Sequence, residues 1–424
     1  MLFFPKAKKK SAKNLGLLAL NRSTIAIERL SRFRLFSGAE YTAHHPDTAA
    51  LSPAVHFVGY GATERRIAVN RVHIARQLGQ LAAAIKDSRL DGGVDSPQSL
   101  IIGIFVSSCG NIFMTEIAQA MARLMRGAGH SVVLGDENSD ISSRPAHSIY
   151  VAPHEFFLLG RGPEWVRDDV LETACMFCTE QAQTQWFWQS VHIVLMAKSV
   201  IDLSPLNAQA FSEVMPATSV MPAILPDEEA VDIRHFRDHP LLMGQRWWID
   251  DEVRDLANRP IDVCFFGTTS PHRSRFFSRY ADLLSRHDGF LYLRTVNSKV
   301  PMNREGQEAE FVQIAQAVTR RSKVLLNVHR DEFPYFEWHR LVYQGMANGA
   351  LVLSETCFPD PTFKAGIHYL SEDARNLPAM LEWVLNDPDG QHTAAMIVEA
   401  ASRVVRDRQL QRDEARRILS LLTV

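Results

Sequence analysis

The chain has 424 residues, 46% of them hydrophobic and 22% charged, with 46 basic against 48 acidic side chains. That length exceeds one ordinary hydrophobic core, so two domains are expected, and the composition excludes an intrinsically disordered chain. A formal net charge of −2 leaves no global footprint for nucleic-acid binding, five scattered cysteines point to a reducing compartment, and no run approaches the ~20 apolar residues of a membrane-spanning helix.

The N-terminus carries Lys6, Lys8, Lys9, Lys10 and Lys13, with no acid before Glu28. The apolar piece that follows, LGLLAL, is short for a signal peptide. Two accounts stand. One is a disordered basic tail. The other is a segment drawn to anionic lipid, with each Lys near such a surface adding ~1 kcal/mol. On either account the chain reads as cytoplasmic, and the second adds peripheral contact at the inner membrane face. Residues 1–98 otherwise show only a helical stretch at 71–86 and a loop, DGGVDSP, at 91–97.

At Ser99 the texture changes. Residues 100–106 (LIIGIFV) form a continuous apolar run, as a strand buried on both faces does. A loop at 107–111 and a helix at 114–127 follow, then a strand at 131–134. This is a Rossmann-type β-α-β opening without the GxGxxG fingerprint. Gly110 and Asn111 serve either turn chemistry or ligand contact on the acceptor side. Further strands are expected at 147–152, 175–179, 200–203 and 219–224. Pro153-His154-Glu155 and Glu180-Gln181 stand at the ends of the first two. Cys175 and Cys178 form a lone CxxC inside an apolar run, which reads as buried strand cysteines in preference to a metal or redox pair. Trp186, Phe187 and Trp188 fall in the next helix and read as core or interface.

Residues 226–259 are acidic, then aromatic, and broken by prolines, which suggests a linker into a second domain. IDVCFFG at 261–267 is its first strand. Thr268, Thr269, Ser270, Pro271 and Arg273 then open a helix expected at 275–286. A strand–glycine–helix junction aims free N–H groups and a positive dipole end at the strand edge, a seat for phosphate, and Arg273 adds a charged fork. A strand at 289–296 and a helix at 309–322 come next. Residues 324–328 form a buried strand with His329 and Arg330 at its carboxyl end. A helix is expected at 335–347, where Glu337, Arg340 and Gln344 share one stripe and Leu341, Val342 and Met346 the buried face. Asn348-Gly349 stops it. The strand ALVL at 350–353 ends in Ser354-Glu355. A short strand or turn at 366–369 and helices at 376–385, 393–406 and 412–422 complete the chain.

Two stretches together resemble one bacterial glycosyltransferase-like family. They are DVCFFG with Arg273, and LNVH at 326–329 followed by Phe336-Glu337, His339-Arg340-Leu341 and Ser354-Glu355. Thr179-Glu180-Gln181 looks like that family's first-half motif. The likeness covers about residues 149–355. It implies an α/β, GT-B-like fold, with two Rossmann-type domains facing a central cleft. The domains would be 99–240 on the acceptor side and 241–405 on the nucleotide-sugar side, with 406–424 as a terminal helix crossing back to the first. The implied activity is sugar transfer from a nucleotide-sugar donor, needing no other cofactor, to a glycan, lipid or protein acceptor. Gly267, Thr268, Thr269, Arg273, His329, Arg330, Glu337, Arg340, Ser354 and Glu355 would hold the donor. His154, Glu155 and Glu180 are the candidate catalytic bases. Gln344 stands where the wider retaining pattern has a Glu, so Glu337 takes over its role toward the donor hydroxyls. No DxD triad follows a strand, which fits a metal-independent reaction. A nucleotide-sugar epimerase and a non-catalytic glycan-binding scaffold are the other readings the same fold allows.

Overall fold

A computed structural model describes residues 20–84, 99–225, 233–245, 255–295, 310–333 and 340–423. The described chain divides into two compact units. The first runs to Pro222 and takes in the C-terminal segment from Gln411; the second holds Ala223 to Leu410. The division falls earlier than the boundary at 240 suggested by the proline-broken stretch.

Among the described residues, unit 1 begins with the α-helices α1 (Ser23–Arg32), α2 (Gly38–His44), α3 (Pro53–His56) and α4 (Arg71–Ala84). Strands and helices then alternate: β1 (Ile101–Val106), α5 (Ile112–Gly127), β2 (Ser131–Gly135), β3 (His147–Val151), α6 (Pro153–Phe156) and α7 (Asp168–Leu171). β4 (Ala174–Cys178), α8 (Gln185–Val194), β5 (Ser199–Asp202), α9 (Pro205–Ser212) and β6 (Ala217–Ser219) complete the alternation. Unit 2 repeats the scheme with β7 (Ile261–Thr268), α10 (Pro271–Arg279), α11 (Ala281–Leu284), β8 (Gly289–Arg294), α12 (Phe311–Arg320) and β9 (Ser322–Asn327). It continues with α13 (Arg340–Ala347), β10 (Leu351–Glu355), β11 (Leu370–Glu372), α14 (Leu377–Asn386) and α15 (Pro388–Val405), and α16 (Arg408–Thr423) ends the chain.

Both sheets are parallel throughout their described pairings. The first runs β2-β1-β3-β4-β5-β6 and the second β11-β10-β9-β7-β8. Counted within each unit, the two share one winding, 2-1-3-4-5, with a sixth strand added in unit 1. The winding reverses between the first and third strands, and ligands of open α/β sheets bind at that switch point, outside the carboxyl ends of the strands. The continuous apolar runs explain the burial: β4, β5 and β10 are buried at every position. Two α/β units with Rossmann-type sheets are what the alternation of elements led us to expect.

Several expectations are corrected. The helix expected at 275–286 is two, because the backbone leaves helical geometry at Tyr280 (φ −110°, ψ 17°). The last strand of unit 1 is β6 at Ala217–Ser219, ending where the expected one began. Around 366–369 the chain turns, with one bridge between Ala365 and Tyr369, and the strand follows at β11. The N-terminal region is more than a tail. Phe33 stacks on Phe211 at 4.8 Å, and Phe36 and Phe57 meet Trp188 at 6.3 and 6.1 Å, so the junctions between helices α1–α3 add aromatic residues to the core around α8 and α9. The five lysines lie outside the described residues.

Candidate functional site

In unit 1 the switch point gathers the loops after β1, β3 and β4. Asn111 caps α5, its side chain accepting from Phe113 N at 3.2 Å. The Asn111 N–H donates to Glu155 Oε2 at 3.0 Å. Gly110 lies so close to that oxygen that an added Cβ would overlap it, which is why glycine stands there. Glu137, 1% exposed, holds the other side of the loop by accepting from Ser108 N at 2.7 Å. Burial alone would push its carboxyl up, but the hydrogen bonds from Ser108 outweigh this and hold it below the usual range.

β3 turns into α6 through Ala152, a fully buried residue in the left-handed region (φ 53°, ψ 70°). A non-glycine residue held there stores strain of about 1–3 kcal/mol. Its carbonyl accepts from Glu155 N at 2.8 Å and Phe156 N at 3.0 Å, so the strained turn fixes the residues that follow. His154 Nε2 then lies 3.5 Å from Glu180 Oε1 and 4.0 Å from Glu155 Oε1. Burial pushes the His154 imidazole down to about 4 against the pull of Glu155, so it is neutral at pH 7. Glu180 is the accessible member, its side chain 23% exposed, and Thr184 Oγ1 donates to its Oε2 at 3.1 Å. A neutral imidazole against an accessible carboxylate is chemically suited to take a proton from a hydroxyl.

In unit 2 the loops after β7, β9 and β10 meet. Ser270 caps α10, its Oγ accepting from Arg273 N at 3.2 Å, and Pro271 opens the helix. Arg273 is 6% exposed; its Nε donates to Val328 O at 2.9 Å and its Nη1 to Thr268 O at 3.1 Å. It therefore ties the end of β7 to the end of β9, with its guanidinium over the Phe265 ring at 5.2 Å. A Cβ on Gly267 would come within 2.7 Å of Nη1, so this clamp also explains a glycine.

Beside the clamp, Glu355 Oε1 is 2.8 Å from His272 Nε2 and its Oε2 is 3.5 Å from His329 Nδ1. Burial raises the Glu355 carboxyl, and the His272 bond opposes it. His329 is 2% exposed and 3.3 Å from Cys357 Sγ. Burial, then Arg273 and His272, push it down to about 3, so this imidazole is neutral too.

The structure thus brings together Gly110, Asn111, His154, Glu155 and Glu180 in unit 1. In unit 2 it brings together Gly267, Thr268, Arg273, His329 and Glu355, while the Thr269 N–H donates to Arg294 O at 2.8 Å. Ser354 is fully buried, its Oγ donating to Glu355 O at 2.7 Å and accepting from Asn327 Nδ2 at 3.0 Å. Arg330 is exposed at the end of β9. Glu337 lies outside the described residues, and Arg340 opens α13. Gln344 does not share an open stripe with them. It is 4% exposed and donates to Ala315 O at 3.1 Å and Thr319 Oγ1 at 2.6 Å, inside the packing of α13 on α12. Cys175 and Cys178 are buried in β4, and burial pushes the Cys175 thiol up to about 12. Sequence reasoning missed Glu137, His272 and Cys357. His272 sat inside the stretch read for phosphate, where a partner 83 residues away leaves no local signal. Among the described residues no group of three or more His, Cys, Asp or Glu side chains is placed to share a metal ion.

No protein-family model matches the chain, and no curated protein does. Solved structures do resemble it. Anabaena HepE in complex with UDP-glucose is 10% identical, with 74% of this chain and 98% of that one covered and a TM-score of 0.43. An α,α-trehalose-phosphate synthase (UDP-forming) from Burkholderia vietnamiensis is 9% identical, with 74% and 95% covered and a TM-score of 0.41. The T4 phage β-glucosyltransferase is 11% identical, with 77% and 100% covered and a TM-score of 0.42.

Proposed function

We propose that this protein transfers a sugar from a nucleotide-sugar donor to a hydroxyl acceptor, unit 2 holding the donor and unit 1 supplying the base. The observation that carries the proposal is the shared winding. Each unit collects buried and partly buried ionisable groups at its own switch point, where α/β sheets take their ligands. The motif resemblance over residues 261–355 supports the same reading.

In this scheme the donor diphosphate sits against Thr268, Thr269 and the first turn of α10, whose dipole favours an anion. Arg330 adds a charge from the end of β9. Glu355, between His272 and His329, accepts from donor hydroxyls, and Glu337 and Arg340 belong to the same donor site. As the glycosidic bond breaks, charge grows on the diphosphate, and the helix end and these cations stabilise it. The proton of the attacking hydroxyl passes to Glu180, with neutral His154 beside it and Glu155 fixing the loop that frames them.

The acceptor is a glycan or lipid of the cell envelope in this reading, and the basic N-terminus holds the chain against an anionic cytoplasmic membrane surface. Among the described residues no helix is long and apolar enough to cross a membrane. Vesicle co-sedimentation tests the contact: removal of residues 1–14 lowers binding to anionic vesicles at low salt, and equal binding by the truncated chain would refute it.

The donor assignment is tested by melting the protein with UDP-glucose and with the four nucleoside diphosphates of uracil, guanine, adenine and thymine. A ligand at 100 times its Kd adds ~2.7 kcal/mol to folding, a shift of several degrees. No shift with any of them at millimolar concentration would overturn the proposal.

A further inference from the structure

β5 ends at Asp202, a residue the transfer scheme does not use. It is 1% exposed, and its Oδ1 accepts from Ser204 N at 2.8 Å and from Asn207 Nδ2 at 3.3 Å. Its Oδ2 is buried without a hydrogen-bond partner among the described residues. Ser204 already caps α9 by accepting from Asn207 N at 3.4 Å, so the helix start has its own cap. What the cap does not account for is the second bond of the same amide: Asn207 Nδ2 also donates to the carbonyl of Glu180, at 3.3 Å.

The Asn207 amide is thus held from one side by Asp202 and holds the Glu180 main chain from the other. Asn207 is 1% exposed, so the link is shielded from water. The Glu180 side chain begins at that fixed point and reaches His154 Nε2 at 3.5 Å. A displacement of the carbonyl would carry the carboxylate with it, and base catalysis is lost over about 1 Å of misplacement. We infer that Asp202 and Asn207 are positioning residues for Glu180, acting as one unit through the shared Asn207 amide. This inference rests on Glu180 being the base.

A carboxyl whose second oxygen has no donor is disfavoured as an anion in a buried place. Burial accordingly pushes Asp202 well above the usual carboxylate range, which favours its neutral form. The surrounding ionisable groups, Cys178 and Glu180, do not offset this. A neutral acid can be replaced by an amide of the same shape, and that separates positioning from ionic chemistry.

The test is donor hydrolysis, with water as acceptor, on whichever of UDP-, GDP-, ADP- or TDP-glucose the wild type turns over. Glu180→Gln, Asp202→Asn, Asp202→Ala and Asn207→Ala are compared, together with the Asp202→Ala/Asn207→Ala double variant. Asp202→Asn should stay within about 3-fold of wild type. Asp202→Ala and Asn207→Ala should each lower kcat at least 10-fold with the donor KM unchanged, and the double variant should be no worse than either. Unchanged KM also shows that unit 2 is folded, and circular dichroism melts check unit 1. Normal kcat in a folded Asn207→Ala overturns the inference alone. Loss in Asp202→Asn equal to that in Asp202→Ala overturns it too, since the charge would then matter. Full turnover in Glu180→Gln, or no hydrolysis of any of the four sugars, overturns the base assignment and the inference with it.

Discussion

His192 on α8 is 1% exposed, and neither ring nitrogen has a hydrogen-bond partner among the described residues. Burial pushes it down to about 4. Because its folded value lies below the unfolded one, its contribution is intact above about 6.5 and is lost as pH falls toward 4, where only the unfolded chain takes the proton. His154 and His329 share that sign, at about 4 and about 3. Asp202 and Glu355 are raised and act the other way, favouring the folded state as pH falls. The wild-type profile mixes both, so a difference isolates one. His192→Phe should gain on wild type by about 2 kcal/mol between pH 7.5 and pH 5, read from urea melts, since 1.5 pH units at 1.36 kcal/mol each are removed. A pH-independent gap between the two would contradict the burial argument. Gly110 offers a second test. Gly110→Ala forces Glu155 off the Asn111 N–H, and stability should fall by about 1–3 kcal/mol together with turnover. An unchanged melt would mean that the loop has room the close approach denies.

At the scale of elements, the Arg273 clamp makes a prediction opposed to a pure phosphate role. Arg273→Ala leaves the carbonyls of Thr268 and Val328 without their charged donor and should cost about 2–4 kcal/mol in the ligand-free protein. If ligand-free stability is unchanged and only nucleotide affinity falls, Arg273 is a phosphate fork and not a clamp. The strands were the legible elements. Runs such as LIIGIFV and DVCFFG mark strands that are buried over most of their length, although Ile101 is exposed and the helices after them start earlier than read, at the Asn111 and Ser270 caps. The helices were less legible. Periodicity finds a stripe but not its neighbour, so Gln344 looked open until α12 was seen packed over it. Helices α1–α3 are short, and the aromatic residues beside them, Phe33 and Phe57, acquire meaning only against Phe211 and Trp188, more than a hundred residues away. The site split the same way. His154, Glu180 and His329 are marked by strand ends, whereas the His272–Glu355 and Asn207–Glu180 contacts arise from winding alone.

At the scale of the whole molecule, α16 closes unit 1. Ile418, Leu419, Leu421 and Leu422 are buried, and Lys198 Nζ and Ser199 Oγ donate to the carbonyls of Leu422 and Leu421 at 3.2 and 3.5 Å. Glu414 Oε1 accepts from Met221 N at 3.3 Å. Deleting residues 411–424 should therefore destabilise unit 1 selectively, so that limited proteolysis cuts within residues 99–222 first; equal protection of those residues in the truncated chain would show α16 to be peripheral. The account as a whole stands on sugar transfer from a nucleotide donor. Its most direct measurement is chromatography of UDP-, GDP-, ADP- and TDP-glucose after incubation with wild type and with Glu180→Gln. The account predicts slow release of free glucose and nucleoside diphosphate from one of the four by wild type, at least 10-fold slower in the variant. Recovery of all four sugars intact, or conversion of one to an epimer with no diphosphate released, would contradict it.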